Sequence, residues 1–423
     1  TNKYAAIAAK YMAQLQNEED QEQKQMYNSK VTMICKLIEK LKNSSFKNCV
    51  MKEAMEYFYD KDFVENMDEN PMLLVCENGV YDAENKIFRN GRPDDYCTKS
   101  TGIYYKDFEE DDNRIIELNT IFKKTFVNPR LFKFFKQTVS DLIRGGNRHK
   151  IFVIWTGDGD NGKSICADLL ERALGDYYYT PPTSILTGKQ SQSAGATAEL
   201  LPCKGARAVV ASETDNADEL NCGTMKKFTG GDPFYARGLF KEATKIIPQF
   251  KLILHCNKLP KVSAEDKASW NRIRRLDFES KFVNSDKAPT TIQEQYRKKI
   301  FPKDKALKDK LPHLSEAFLW WLIKEYENFG DSDLYEPQEV TNATELYQKS
   351  NDFYLQFLDE RIVESGDNKD YITLTVIYTL FKEWYKDSLP GCRIPSRVMV
   401  KESIEKKLNK QEKGVWRGIT TFD

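Results

Sequence analysis

A run of eight residues, GDGDNGKS at positions 157–164, has the residue types and spacing needed to bind phosphate groups. Its glycines let backbone N–H groups converge on phosphate oxygens, because glycine adopts backbone angles that other residues avoid. In the pattern G-x-x-x-x-G-K-S the lysine contacts the β- and γ-phosphates and the serine hydroxyl holds Mg²⁺. We therefore predict a site for ATP and Mg²⁺ formed by Gly157, Asp158, Gly159, Asp160, Asn161, Gly162, Lys163 and Ser164.

The residues on either side of this loop predict the elements that hold it. Residues 151–156 are apolar or β-branched, which is typical of a buried strand, and residues 165–174 have a helical pattern. A phosphate-binding loop requires this order of strand, loop and helix, and the N-terminus of the helix adds a partial positive charge beside the phosphates. A chance glycine turn is the alternative, and the correct placement of both elements disfavours it.

Two further strands are predicted to end in polar side chains. Residues 206–213 form an apolar run that ends in the carboxylate of Glu213, and residues 251–256 lead to the amide of Asn257. Ligands of open α/β sheets bind at the carboxyl ends of the strands. We therefore predict that Glu213 activates the attacking water and helps to hold Mg²⁺, and that Asn257 orients this water. A solvated loop acid and an ordinary turn asparagine are the alternatives.

Between these two strands lies a segment rich in cations and aromatic rings. Residues 226–251 contain six cationic and two acidic side chains. The interleaved aromatic residues are Phe228, Phe234, Tyr235, Phe240 and Phe250. Cations bind nucleic-acid phosphates and aromatic rings stack on bases, so this segment is a candidate DNA contact. On composition alone a solvated charged face is equally plausible.

Three arginines, Arg272, Arg274 and Arg275, lie beside a strand-like stretch that ends near Phe278. The guanidinium group presents a fixed fork of donors that suits phosphate oxygens. An arginine from a neighbouring subunit often completes a nucleotide site of this kind. A surface cluster of salt bridges is the alternative.

The order of these features resembles the superfamily 3 helicases, which are hexameric viral AAA+ motors. It is most similar to the poxvirus-type primase-helicase family of large nucleocytoplasmic DNA viruses and some phages. The resemblance is carried by GDGDNGKS, by VASET (residues 210–214) with FTGGDP (228–233), and by LFKE (239–242) with HCNKLP (255–260). Upstream, ENGVYD (77–82) and DYCTKSTG (95–102) resemble the module that precedes this helicase.

The resemblance implies specific roles. Glu213 is the catalytic base, Asn257 the sensor, and Arg272 the finger that acts on the neighbouring subunit, with Arg274 and Arg275 as alternatives. Phe240 and Lys241 lie at the tip of a hairpin that grips one DNA strand in the pore of a homo-hexamer. The implied partners are single-stranded and forked DNA, a primase domain or subunit, and replication-fork proteins. The implied location is intracellular, in the host cytoplasm at viral replication sites.

The implied fold is α/β, an AAA+ P-loop ATPase core with a parallel sheet. We predict a helical or mixed collar over residues 1–126, the ATPase core over 127–284, a charged linker and helical lid over 285–338, and a winged-helix-like domain over 339–423. Some superfamily members carry two adjacent acids at the second strand, whereas here Ser212 precedes Glu213. The division of metal ligands between Ser164 and Glu213 is therefore open.

Composition limits the other classes of protein. Lys plus Arg equals Asp plus Glu at 64 each, which excludes a globally basic protein but allows a local DNA site. Nine cysteines without a C-x-x-C pair, together with three histidines, disfavour a zinc module and indicate a reducing compartment. No apolar run approaches the ~18 residues that span a bilayer, so no membrane partner is expected. Since the chain begins with Thr1, we expect it to be part of a longer polypeptide.

Two rival functions fit the phosphate-binding loop. A P-loop kinase would need an acceptor pocket and no ring. An ATPase for initiation or packaging would bind duplex DNA without separating the strands. The cationic segment at residues 226–251 favours a helicase over both.

Overall fold

The computed structural model describes residues 2–187, 197–212, 219–388, 394–408 and 414–422. Its contacts divide the chain into two compact units, Thr1–Met67 and Asp68–Asp423. Residues 68–126, which are predicted from the sequence to be part of the collar, thus belong to the same compact unit as the phosphate-binding loop.

The first unit is helical, as predicted for these residues. Its helices are α1 (Asn2–Asn17), α2 (Gln21–Lys42), α3 (Ser44–Tyr57) and α4 (Phe63–Asn66). The side chain of Asp20 caps α2, and the side chain of Asn43 caps α3. Helices α1 and α2 pack together, and the rings of Tyr11 and Tyr27 lie 6.1 Å apart between them.

The second unit begins with a small antiparallel sheet and two helices. The sheet contains β1 (Leu73–Cys76), β2 (Gly79–Asp82) and β3 (Ile87–Arg89), and the helices are α5 (Asn113–Thr125) and α6 (Pro129–Ser140). Glu77 and Asn78 form the turn between β1 and β2, and Gly79 pairs with Cys76. Asp112 caps α5, and Asn128 caps α6 with Pro129 in the first helical position.

A parallel sheet of five strands forms the centre of this unit. Its strands are β4 (Phe152–Thr156), β5 (Tyr178–Tyr179), β6 (Ala208–Ser212), β9 (Lys251–Cys256) and β10 (Ile273–Asp277), in the order β10-β4-β9-β6-β5. Between them lie α7 (Lys163–Leu174), α8 (Ser184–Thr187), α9 (Cys222–Gly230), the hairpin strands β7 (Phe234–Arg237) and β8 (Ala243–Ile246), and α10 (Lys267–Trp270). This arrangement is the predicted α/β core, and the glycine-rich loop follows β4, which lies between β10 and the central strand β9.

Alternating side chains of the sheet contribute to two hydrophobic clusters, one on each face. Val153 and Trp155 of β4 belong to one cluster, and Phe152 and Ile154 belong to the other. Strand side chains alternate between faces, so each residue of β4 is buried. The sheet therefore holds the loop that follows Thr156 on a rigid support.

The segment after the sheet continues into the core. Its elements are β11 (Lys281–Val283), α11 (Ile292–Lys298), β12 (Ile300–Pro302) and α12 (Leu307–Phe329). Helix α12 packs against α5, α6 and α7, as its wide apolar surface predicts. It begins at Leu307, so it includes the second half of the charged stretch at residues 303–310 that the sequence predicts to be a linker.

The C-terminal part has the order of helices and strands predicted for a winged helix. Its elements are α13 (Gln338–Ser350), α14 (Phe353–Arg361), β13 (Ile362–Glu364), β14 (Tyr371–Thr373), α15 (Leu374–Ser388), α16 (Arg397–Glu405), β15 (Val415–Arg417) and β16 (Ile419–Thr421). Strand β13 pairs with β16 and β14 pairs with β15, both antiparallel. Gly418 alone separates β15 from β16, whereas residues 365–370 separate β13 from β14. The longer loop between these strands is therefore the one that joins β13 to β14.

Candidate nucleotide-binding site

The phosphate-binding loop leaves β4 at Thr156 and enters α7 at Lys163. Gly162 has φ +93°, a left-handed conformation that favours glycine. A Cβ atom on Gly157 would approach Asn161 Nδ2 to 2.4 Å and the Phe278 carbonyl oxygen to 2.7 Å. Two of the glycines in the motif are therefore required by local geometry, which supports the sequence interpretation of a folded loop over a chance turn.

Lys163 and Asn257 lie together beside this loop. The Lys163 side chain is buried, and its Nζ donates to the carbonyl oxygen of Gly157 at 2.5 Å, to Asn161 Oδ1 at 3.2 Å and to Asn257 Oδ1 at 3.1 Å. The contact follows from the sheet, because β4 pairs with β9 and Thr156 lies opposite Cys256. Residues that are 94 positions apart thus meet at the carboxyl edge of the sheet, where both are predicted to lie.

A cleft of about 580 Å³ opens beside the loop. This volume is within the range of sites that hold small molecules. Ser164 is exposed at the N-terminus of α7 and lines the cleft together with residues 159–163. Apolar side chains form part of the wall, and they are Ile121, Phe282, Pro302 and Leu307.

Cationic residues on the rim of the cleft were not predicted from the sequence. Lys124 of α5 and Lys303, Lys305 and Lys308 near the start of α12 all line it. Lys303 Nζ lies 2.8 Å from Oδ1 of Asp160 in the loop itself. No motif marks these lysines, and the stretch at 303–310 resembles an ordinary charged linker. They reach the cleft because α12 packs on α5 and α7.

The site suits a nucleotide with a bound Mg²⁺. The loop offers backbone N–H groups, a buried lysine and the exposed hydroxyl of Ser164. Mg²⁺ is usually held by one or two protein ligands, with phosphate oxygens and water filling its other positions. In the described part of the chain there is no group of three or more His, Cys, Asp or Glu side chains that could hold a metal alone. Ser164 and the phosphates of the nucleotide would therefore provide ligands to the metal.

The predicted catalytic base, Glu213, lies outside the described residues, so its role stays a prediction. Strand β6 ends one residue earlier, at Ser212. Ser212 pairs with His255, two residues before Asn257. The described end of β6 is therefore at the same edge of the sheet as Asn257.

The three candidate arginines occupy different positions. Arg272 precedes β10 and donates from Nη1 to the carbonyl oxygen of Ala268 at 2.7 Å. Its own carbonyl accepts from Phe152 N, at the start of β4, whereas the phosphate-binding loop follows the end of β4. Five residues of strand span roughly 16 Å at about 3.3 Å each, so Arg272 is at the edge of the sheet opposite the loop of its own chain.

Arg274 and Arg275 are paired with acids of the same chain. Arg274 Nε lies 2.7 Å from Glu336 Oε2, and Arg275 Nε lies 2.7 Å from Asp277 Oδ1. Arg275 also lines a smaller cleft with Gly157 and Asn257. Of the three arginines, Arg275 is thus the one whose side chain lies near the phosphate-binding loop of its own chain.

The cationic and aromatic segment contains a β-hairpin. Strands β7 and β8 pair antiparallel from Phe234 opposite Ile246 to Arg237 opposite Ala243, and residues 238–242 form the tip. Phe240 has φ +57° and a fully exposed ring, and Lys241 beside it is also exposed. Arg237 Nε donates to the Lys241 carbonyl oxygen at 3.1 Å, which braces the tip. Phe240 and Lys241 are therefore presented to solvent together.

The structure corrects the idea that all aromatic rings of this segment could stack on bases. Phe228, Phe234 and Phe250 are buried and pack on one another, with Phe228 centred 5.2 Å from Phe234 and 5.5 Å from Phe250. They anchor the base of the hairpin. Tyr235 and Phe240 are the rings of this set that remain exposed.

Lys251 is also corrected, because it is buried at the opposite edge of the sheet. Its Nζ bonds to the carbonyl oxygens of Asp141 and Arg144 and lies 3.4 Å from Asp141 Oδ2. Burial lowers the pKa of Lys251 to about 8, and the Asp141 carboxylate opposes this shift. Lys251 therefore serves the packing of β9 rather than a DNA surface.

None of the described helices is both long enough and apolar enough to cross a bilayer. The eight cysteines that are described are free thiols.

Comparison with known proteins gives relatives from large DNA viruses. A family profile described as "D5 N terminal like" matches residues 4–141. A "Putative helicase" of Acanthamoeba polyphaga mimivirus is 35% identical over 391 residues, covering 92% of this chain and 41% of that protein. A "Putative helicase" of Invertebrate iridescent virus 3 is 35% identical over 373 residues, covering 85% of this chain and 39% of that protein.

More distant matches extend this set. A "Putative primase" of African swine fever virus is 26% identical over 365 residues, covering 83% of this chain and 37% of that protein. The apo C-terminal region of NrS-1 overlaps with a TM-score of 0.43 at 12% identity, covering 75% of this chain and 77% of that one. The fold assignment rests on the order of the strands and not on this overlap.

The chain spans about 41% of the length of the mimivirus relative, and the other two viral relatives are covered to a similar extent. The similarity to the mimivirus relative extends over 92% of this chain. The chain is therefore similar in sequence to viral proteins named putative helicase and putative primase, and residues 4–141 match the "D5 N terminal like" profile, in line with the resemblance that the motifs indicate.

Proposed function

We propose that this chain is the motor of an ATP-dependent DNA helicase, a superfamily 3 AAA+ protein that acts as a hexameric ring at a viral replication fork. The observation that carries the proposal is the exposed hairpin tip, Phe240 and Lys241, in the same compact unit as the phosphate-binding loop. An aromatic ring beside a lysine suits a single strand, because the ring stacks on a base while the ammonium group contacts a phosphate. A nucleotide kinase has no use for such a surface.

The ring is supported by the position of Arg272. An arginine finger must reach the γ-phosphate, yet Arg272 lies across the sheet from the loop of its own chain. In a closed ring with head-to-tail contacts, one edge of each subunit faces the opposite edge of the next. Arg272 would then complete the site that holds Lys163 and Asn257 of its neighbour.

In the proposed reaction the γ-phosphoryl group of ATP would pass to water with ADP as the leaving group, and Ser164 would help to hold the Mg²⁺ that neutralises phosphate charge. Lys163 would exchange its contacts with Gly157 and Asn257 for phosphate oxygens, which frees the Asn257 amide to orient the attacking water. Glu213 is the proposed base. Each hydrolysis event would shift one hairpin along the single strand, and the whole polypeptide would combine this motor with a primase, as the names of the relatives suggest.

The test uses the full chain with ATP, Mg²⁺ and either single-stranded or forked DNA. We expect single-stranded DNA to stimulate phosphate release and the fork to be unwound. Lys241→Ala is expected to lose most of the stimulation and the unwinding, because it removes a phosphate contact at the tip. Lys369→Ala, at an exposed lysine of the loop between β13 and β14, is the matched control and should behave as wild type.

Other outcomes would favour the rival functions. Stimulation by duplex DNA without unwinding of the fork would indicate an initiation or packaging ATPase. Turnover that ignores DNA, in a protein that stays monomeric with ATP, would indicate a kinase-like P-loop enzyme. Normal unwinding by Lys241→Ala would contradict the role of the hairpin.

A further inference from the structure

One segment of the chain joins the two residues that are predicted to sense and complete the nucleotide site. Residues 258–271, here called the connecting segment, begin directly after Asn257 and end directly before Arg272. The two ends lie at opposite edges of the sheet, since β9 ends at Cys256 and β10 starts at Ile273. Any movement of the connecting segment would therefore shift both Asn257 and Arg272.

The end of the connecting segment nearest Arg272 is tightly bonded. Asp266 caps α10 by accepting from Ser269 N at 3.1 Å, and Trp270 Nε1 donates to the carbonyl oxygen of Ser263 at 2.9 Å. The Arg272 side chain donates to the carbonyl oxygen of Ala268 within the same turn. The direction of Arg272 is thus set by where this short turn is held.

Helix α13 of the C-terminal part holds both ends of the segment. The Tyr347 hydroxyl donates to the carbonyl oxygen of Pro260, three residues after Asn257. The ring of Tyr347 packs edge-on against Trp270, two residues before Arg272, with centroids 5.0 Å apart. Tyr347 and Trp270 are both buried. Burial raises the pKa of Tyr347, so its hydroxyl remains a donor at neutral pH.

Two neighbours strengthen this attachment. Asn351 Oδ1 accepts from Val262 N at 2.9 Å, and Asn351 Nδ2 donates to the carbonyl oxygen of Tyr347 at 2.9 Å. From α16, Ser403 Oγ donates to Glu265 Oε1 at 2.7 Å. A helix that only covered the hydrophobic face of the sheet would not need polar contacts to the middle of a loop.

We propose that Tyr347 and Asn351 are positioning residues for ATP hydrolysis, which hold the connecting segment so that Asn257 and Arg272 are correctly placed. This inference rests on the proposed function. It gives the C-terminal part a direct route to the hydrolytic site, through a segment that it grips at Pro260, Val262 and Trp270. We expect the effect on turnover and not on nucleotide binding, because neither Tyr347 nor Asn351 lines the nucleotide cleft. Asn257 and Arg272, the residues that they place, are proposed to act on the attacking water and on the γ-phosphate.

The experiment measures steady-state ATP hydrolysis by the full chain with single-stranded DNA. Tyr347→Phe keeps the ring on Trp270 and removes the hydroxyl, and Asn351→Ala removes both amide contacts. Each is expected to lower kcat at least five-fold and to leave KM within two-fold of wild type. Asn351→Asp keeps an acceptor for Val262 N and should recover part of the loss seen with alanine.

Tyr378→Phe is the matched control. It also removes a tyrosine hydroxyl that donates to a proline carbonyl, Pro395 at 3.3 Å, within the C-terminal part but away from the connecting segment. We expect its kcat to equal that of wild type. If Tyr378→Phe lowered kcat as much as Tyr347→Phe, the effect would be general loosening of the C-terminal part and the inference would be overturned.

The remaining outcomes separate this inference from the proposed function. If the wild-type protein had no ATPase activity, both the proposed function and this inference would be refuted. An active wild type, with Lys163→Ala inactive and both Tyr347→Phe and Asn351→Ala at full kcat, would overturn the inference and leave the motor intact. A raised KM with unchanged kcat would also overturn it, since that pattern indicates a role in binding.

Discussion

Replacement of Lys163 by alanine tests the candidate site most directly. Its ammonium group is buried and is held by three oxygens that surround the place where phosphates are expected. Alanine removes this cation while keeping a good helix former at the first residue of α7. We expect an intact fold, seen as an unchanged circular dichroism spectrum, and a non-functional site.

The size of the effect follows from the interactions that the ammonium group would make with the phosphate oxygens. A charge-assisted hydrogen bond contributes about 1.5–3 kcal/mol, which corresponds to a loss of ATP affinity of roughly 10- to 150-fold. Removal of one preorganised donor from developing charge costs a further ~10²- to 10³-fold in kcat. Together these effects predict a fall in kcat/KM of about 10³-fold or more.

The assay is phosphate release at saturating single-stranded DNA, with ATP affinity measured separately by a fluorescent analogue. Lys123→Ala is the matched control, because Lys123 is exposed on α5 next to Lys124 but does not line the cleft. The control should retain turnover and affinity. Turnover by Lys163→Ala within two-fold of wild type would refute the assignment of the site.

Two further predictions concern the assembly and the buried charge. Arg272→Ala and Lys163→Ala should each lack ATP turnover, whereas a mixture of the two variants should regain part of it. Some interfaces of a mixed ring combine an intact loop from one subunit with an intact Arg272 from the next. A mixture as inactive as its components would contradict an arginine that acts on the neighbouring subunit. Burial lowers the pKa of Lys251 from its usual 10.5 to about 8, so between these pH values the unfolded chain binds more protons than the folded one and the free energy of unfolding should rise with pH. The full rise in the free energy of unfolding is on the order of 3 kcal/mol. Denaturant unfolding at pH 8 and pH 10 should show a smaller rise for Lys251→Met than for wild type, and an equal rise in both proteins would refute the lowered pKa of Lys251.

The sequence by itself determined the local features of this protein. The spacing of glycines, lysine and serine at residues 157–164 was sufficient to predict a loop between a strand and a helix, because glycine and the start of a helix are local signals. The apolar runs before Thr156 and Asn257 were sufficient to predict buried strands, since a strand that is apolar on both faces must be covered on both faces. Parallel strands share a carboxyl edge, so the meeting of Lys163 with Asn257 also followed.

Only the tertiary structure decided which side chains are exposed and which distant segments meet. Phe228, Phe234, Phe250 and Phe240 look alike in sequence, yet the first three are buried and Phe240 alone of these four is at a hairpin tip. The lysines at 303–308 reach the nucleotide cleft only because α12 packs on α5 and α7, and Tyr347 reaches the connecting segment only because α13 packs on β10. Composition and periodicity record the burial of a whole element, whereas the neighbours of a single side chain depend on how elements far apart in the chain are packed together.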